Sequence, residues 1–250
     1  MTEAEADIAS TIPVDLDSLP RLNGFRLRGI EMTRLETFID AAFAFAITML
    51  VISPGEIPRN IDALLSVFRN VPVFIASIAT LGVFWRGHWI WSRRYGLEDG
   101  TSILISWAML VTILIYVYPL KLLFSGMFYY LSGQRLGQMI GVRSLAQAQG
   151  IFAVYALGFI AISFEILLLN WRAWRLRNPL RLNERERFLT RAELSGWSIP
   201  IAVGLLSLIL ALTLPARWIE WSGWTYLLLV VLLPIHRRWR NRRISQVSAA

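Results

Sequence analysis

The chain has 250 residues, 56% of them apolar and only 17% charged, with a formal net charge of +8 and a mean hydropathy of +0.52. A soluble domain carries about a quarter charged residues; here the charges come in bursts between long apolar runs, which excludes an ordinary soluble domain and points to one membrane bundle. The lack of cysteine excludes disulfides and thiolate chemistry, and His88 and His236 are too far apart in sequence to suggest a metal site.

Residues 1–29 are polar and acidic (Glu3, Glu5, Asp7, Asp15, Asp17) and lack the basic start and apolar centre of a signal peptide, so they are expected to be a mobile tail. Residues 30–240 read as an all-α membrane domain of six helices, over 35–53, 67–91, 102–124, 151–171, 198–215 and 218–236, the last two joined by a tight turn at Pro215 and Ala216. Most runs are near the roughly 20 residues that cross a hydrocarbon core. In hydrocarbon each segment must pair its own backbone groups, so the runs are helices. Residues 241–250 form a basic tail.

Eighteen basic residues fall before the first span, between the second and third, between the fourth and fifth, and after the sixth. Six fall on the other side, and Arg86 lies within a span. By the positive-inside rule both termini are cytoplasmic and the protein is multi-pass in the cell membrane, its basic face toward anionic headgroups. That accounts for the net charge without nucleic acid as a partner. Trp91, Trp171, Trp174, Trp197 and Trp239 at inner ends, and Trp218, Trp221 and Trp224 at the outer turn, are expected to be interfacial anchors. The Arg-rich stretch 172–191 reads as a solvated loop near headgroups in preference to an amphipathic lipid-binding helix.

The first span differs from the rest. It carries Glu36 and Asp40, four alanines and Thr48. An ionised carboxylate in a span costs at least about 2.5 kcal/mol, so this helix faces a partner or water. Ala41, Phe45, Thr48 and Ile52 share one face by their spacing. Around a symmetry axis they would make stacked rings, in which apolar rings gate by dewetting and a hydroxyl ring partly replaces a cation's hydration. Ordinary helix packing, with Thr48 bonded back to its own helix, explains the same spacing. From the spacing, both readings stay open.

Arg34, Phe38 and Asp40, followed by AAFAFAITMLVI, resemble the first helix of the transmembrane protein 175 family of potassium channels, which opens Arg-x-x-x-Phe-Ser-Asp. Trp85-x-x-His88 is similar to a motif near the end of that family's second helix. The resemblance covers about residues 30–125. It implies a homotetramer of six-helix subunits with the first helix lining a K⁺ pore at Ala41, Phe45, Thr48 and Ile52. It also implies a network of Arg34, Asp40, Trp85 and His88 that holds the pore helix. Ile39 replaces the motif's serine, and Phe45 stands where the family has isoleucine or leucine at its constriction.

The proposed topology collects Arg34, Glu36, Asp40, Arg86, His88 and Glu165 at one depth, where they can neutralise one another. The expected pairs are Arg34 with His88 or Glu165, and Arg86 with Asp40 or Glu165. Helix-start electrostatics and snorkelling arginines explain the same placement. The leading function is therefore a homo-oligomeric cation channel permeable to potassium, with no cofactor beyond the permeant K⁺. A non-conducting membrane scaffold is the alternative. No enzyme motif such as HExxH, a P-loop or a nucleophile elbow is present, and no internal repeat suggests a transporter.

Overall fold

The computed structural model describes residues 15–52, 60–138 and 141–247. Residues 15–29, expected to trail as a tail, are folded. Asn23 and Gly24 both take positive φ, 53° and 80°, as a two-residue type I′ turn requires. They bring β1 (Arg21–Leu22) antiparallel to β2 (Phe25–Arg26), with Arg21 opposite Arg26. Phe25 is fully buried, edge-on to Tyr95 at 5.4 Å between ring centroids. Burial of Leu19 and Phe25, with the ion pairs of Arg26, offsets the ordering entropy that would otherwise leave an acidic segment loose.

Helix α1 (Arg34–Ile52) starts where the Thr33 hydroxyl accepts the Glu36 N–H at 3.1 Å, a side-chain cap for an otherwise orphaned donor. A short amphipathic α2 (Ile61–Arg69) precedes α3 (Val71–Tyr95). The two are separate because Pro72 fits only the first turn of a helix, so the second span begins later than the expected 67. Gly96, at φ 58°, closes α3 in the left-handed conformation that ends many helices. Then come α4 (Gly100–Leu131), α5 (Leu145–Arg175) and α6 (Glu184–Thr213). The chain ends in a 3₁₀ turn (Ala216–Trp218), α7 (Trp221–Trp224), a second 3₁₀ turn (Thr225–Leu227) and α8 (Leu228–Val247).

Among the described residues, five stretches are long and apolar enough to cross a membrane: α3, α4, α5, α6 and Ala216–Ile244. Helix α6 begins at Glu184, so the stretch expected to be a loop over 172–191 is helical at both ends with a turn between. The cause is a capping box, in which the Asn183 side chain accepts the Glu186 N–H and the Glu186 carboxylate accepts the Asn183 N–H. The expected tight turn at Pro215 is instead a run of short helical turns. Helix α8 carries on into the segment read as a basic tail.

Two apolar clusters stack along the bundle. The larger joins Ile39, Phe43, Ala46 and Leu50 of α1 to Phe84, Met109, Tyr116 and Phe159. The smaller gathers Phe25, Trp91, Tyr95, Leu169 and Leu180 at the arginine-rich end. Of the expected anchors, one belongs to the interior instead and another is half-buried against the larger cluster. Trp91 is buried and donates to the Leu169 carbonyl at 2.8 Å, and Trp197 stacks on Phe84 at 6.2 Å.

Candidate functional site

Helix α1 is two-sided. Its core face repeats at Ile39, Phe43, Ala46 and Leu50, the spacing of one helical stripe. Its other face, Arg34, Thr37, Phe38, Ala41, Ala44, Phe45 and Thr48, is exposed in the single chain. Phe45 is 58% exposed. Of the four expected pore positions, Ala41, Phe45 and Thr48 thus lie together on that face; the Ile52 side chain lies outside the described residues. The Thr48 hydroxyl donates to the Phe45 carbonyl at 2.7 Å, the back-bond that ordinary packing predicts. A hydroxyl that donates in this way keeps its capacity to accept, and Thr48 is exposed.

Behind this face the motif residues meet in part. The Trp85 indole N–H donates to the Asp40 carboxylate at 2.8 Å, joining α3 to the start of α1. Phe38 packs against Trp107 of α4, with ring centroids 5.4 Å apart. The expected ionic pairs do not form. Arg34 and Arg86 are exposed and make no ion pair among the described residues. His88 is buried and faces the Ser106 hydroxyl at 3.2 Å. Glu165 accepts from Thr112 at 2.7 Å, while its second oxygen is buried with no hydrogen-bond partner. The physical reason is direction: shared depth does not put side chains on facing sides of their helices, and hydroxyls on α4 were nearer partners than arginines.

Two ties on α1 escaped the sequence reading. Glu36, buried, pairs with Arg93 at 3.2 Å, and Arg93 also donates to the carbonyls of Gly29 and Ile30 at 3.1 and 2.8 Å. At the other end the Lys121 ammonium donates to the Leu50 carbonyl at 2.8 Å and lies 4.9 Å from the Phe74 ring centroid. Leu50 belongs to the last turn of α1, whose carbonyls lack helical donors and carry the negative end of the dipole. The signal was available, since Lys121 is the only lysine in the chain and stands inside an apolar run. Among the described residues no group of three metal-ligating side chains gathers.

At the arginine-rich end, Glu186 is fully buried and takes Arg26 at 2.9 Å and Arg28 at 3.0 Å. The hydrogen bond to Glu186 is the largest influence on Arg26 and pushes its guanidinium above its ordinary pKa.

The sequence profile of the family described as "Endosomal/lysosomal potassium channel TMEM175" matches residues 34–119, the stretch that holds α1, the Asp40–Trp85 contact and most of α4. A protein from Marivirga tractuosa named "Potassium channel" is 34% identical over 235 residues, covering 89% of this chain and 94% of the relative. The crystal structure of a variant of the potassium channel MtTMEM175, in complex with a Nanobody-MBP fusion protein, superposes with a TM-score of 0.77 at 33% identity over 90% of this chain and all of that one. By sequence over nearly its whole length and by fold, this chain belongs to the TMEM175 family of potassium channels.

Proposed function

We propose that the chain conducts K⁺ passively across a membrane, along the exposed face of α1 contributed by each subunit of a homotetramer. One observation carries the reading. A helix whose other side is built into the core leaves Ala41, Ala44, Phe45 and Thr48 uncovered, a face whose small residues and hydroxyl suit close approach of identical neighbours. At 19 residues α1 is about 28 Å long, enough to span. It is the sixth crossing in this reading, which leaves both termini on the cytoplasmic side by the distribution of arginine. Phe45 forms the apolar constriction and Thr48 the polar ring one turn on, where hydroxyl oxygens replace part of the ion's water. The chemistry is a path, with no covalent step and no cofactor.

Purified protein in liposomes tests this. Wild type should carry K⁺ flux above empty vesicles. Phe45→Ala should raise that flux by widening the constriction, and Thr48→Ala should change the K⁺ to Na⁺ ratio. Flux no greater than that of empty vesicles for all three, from protein that remains tetrameric, removes the conduction reading and leaves a membrane scaffold.

A further inference from the structure

Two sets stand out among the arginines around the turn between α5 and α6. One set is paired inside the fold. Arg26 and Arg28 share Glu186, Arg94 and Arg240 share Glu193 at 2.9 and 3.6 Å, and Arg172 meets Asp99 at 2.9 Å. The other set, Arg175, Arg177 and Arg191, makes no ion pair among the described residues. Each lies over an indole instead. Arg175 stands 5.2 Å from the Trp171 ring centroid, and Arg177 and Arg191 stand 4.9 and 5.2 Å from that of Trp174.

Two cations held on one ring repel each other, and among the described residues neither has a carboxylate in ion-pair contact to offset that repulsion. The ring quadrupole holds them in part, as does the bond from Arg177 Nη1 to the Trp174 carbonyl at 3.2 Å. An anion set among the three guanidinium groups would relieve the repulsion, and their planar forks match phosphate oxygens. The indoles narrow the choice of phosphate. Trp171 is 45% exposed and Trp174 is half-buried, at the end of an apolar span, where indoles sit at headgroup depth. A phosphate carried on a lipid satisfies both halves of the surface, charge and ring; a free phosphate satisfies only one.

We propose that Arg175, Arg177 and Arg191, with Trp171 and Trp174, form a binding site for the phosphate headgroup of an anionic phospholipid. The site is separate from the α1 face, and its test reads no ion flux. Full-length protein in detergent is titrated with phosphatidylglycerol or phosphatidylcholine, and bound lipid is counted by native mass spectrometry. Wild type should prefer phosphatidylglycerol by at least about tenfold. The triple variant Arg175→Gln, Arg177→Gln, Arg191→Gln should lose that preference. A second triple variant, Arg135→Gln, Arg143→Gln, Arg217→Gln, removes the same charge at the opposite end and should keep it. Thermal melting in phosphatidylcholine checks that each variant is folded. The single variant Arg191→Gln, at an exposed position, should lose part of the preference and decides the matter if the triple variant does not fold. The proposal is overturned if the elbow variants keep the wild-type preference, or if both triple variants lose it equally. Displacement of the lipid by equimolar inorganic phosphate, or tighter binding of an RNA oligonucleotide, overturns it as well.

Discussion

At the start of α1, Asp40 is held by one hydrogen bond from α3. Its place in a span demanded a partner, and Trp85, already singled out by its spacing to His88, is that partner at 2.8 Å. Arg86, one partner expected for Asp40, is exposed and makes no ion pair among the described residues, because depth is legible in a sequence and side-chain direction is not. Trp85→Phe should leave Asp40 without this donor and lower stability by about 1–3 kcal/mol, read as a fall in melting temperature, with Asp40→Asn adding little on top. A fully additive double variant would mean that the two side chains act separately. Lys121 is a second case at this scale. Lys121→Met strips the donor from the Leu50 carbonyl at the end of α1 and should alter K⁺ flux in vesicles at unchanged protein content, while Lys121→Arg restores it. Equal flux from both variants would leave Lys121 with no hold on α1.

The helices were legible as apolar runs, their ends much less so. Ends depend on capping chemistry, and the Asn183–Glu186 box turned an expected loop into the first turns of α6. Close helix packing was also hidden. Gly158 on α5 presses against the Tyr116 ring of α4, and Gly204 on α6 against Ile160 of α5 at 2.6 Å for an added Cβ. A ring in a packed core cannot turn aside cheaply, so Gly158→Ala should cost about 1–3 kcal/mol through overpacking. Gly82→Ala, where an added Cβ meets nothing within 4 Å, should not destabilise. Matching melting temperatures for the two would show that α4 and α5 are not in tight contact at Gly158.

At the scale of the molecule, the folded N-terminal hairpin ties the start of α1 to the turn between α5 and α6. Glu186 holds Arg26 and Arg28, while Arg93 holds Glu36 and the carbonyls of Gly29 and Ile30. Nothing in the composition of an acidic tail announced this, since the pairing bridges residues about 160 positions apart. Glu186→Ala leaves buried guanidinium groups without a counter-charge and should cost about 3–5 kcal/mol, seen first as protease cleavage in the residues before α1. Resistance to protease equal to wild type would count against the tie.

In the proposed channel the uncovered face of α1 borders water and ions. The chain has no cysteine, so single cysteines report their own surroundings without background. Thr48→Cys and Ala41→Cys proteins in vesicles, treated with a charged, membrane-impermeant methanethiosulfonate, should react and lose K⁺ flux, while Leu50→Cys on the core face should neither react nor change. Unreactive cysteines at Thr48 and Ala41, with flux intact, would place that face away from the ion path.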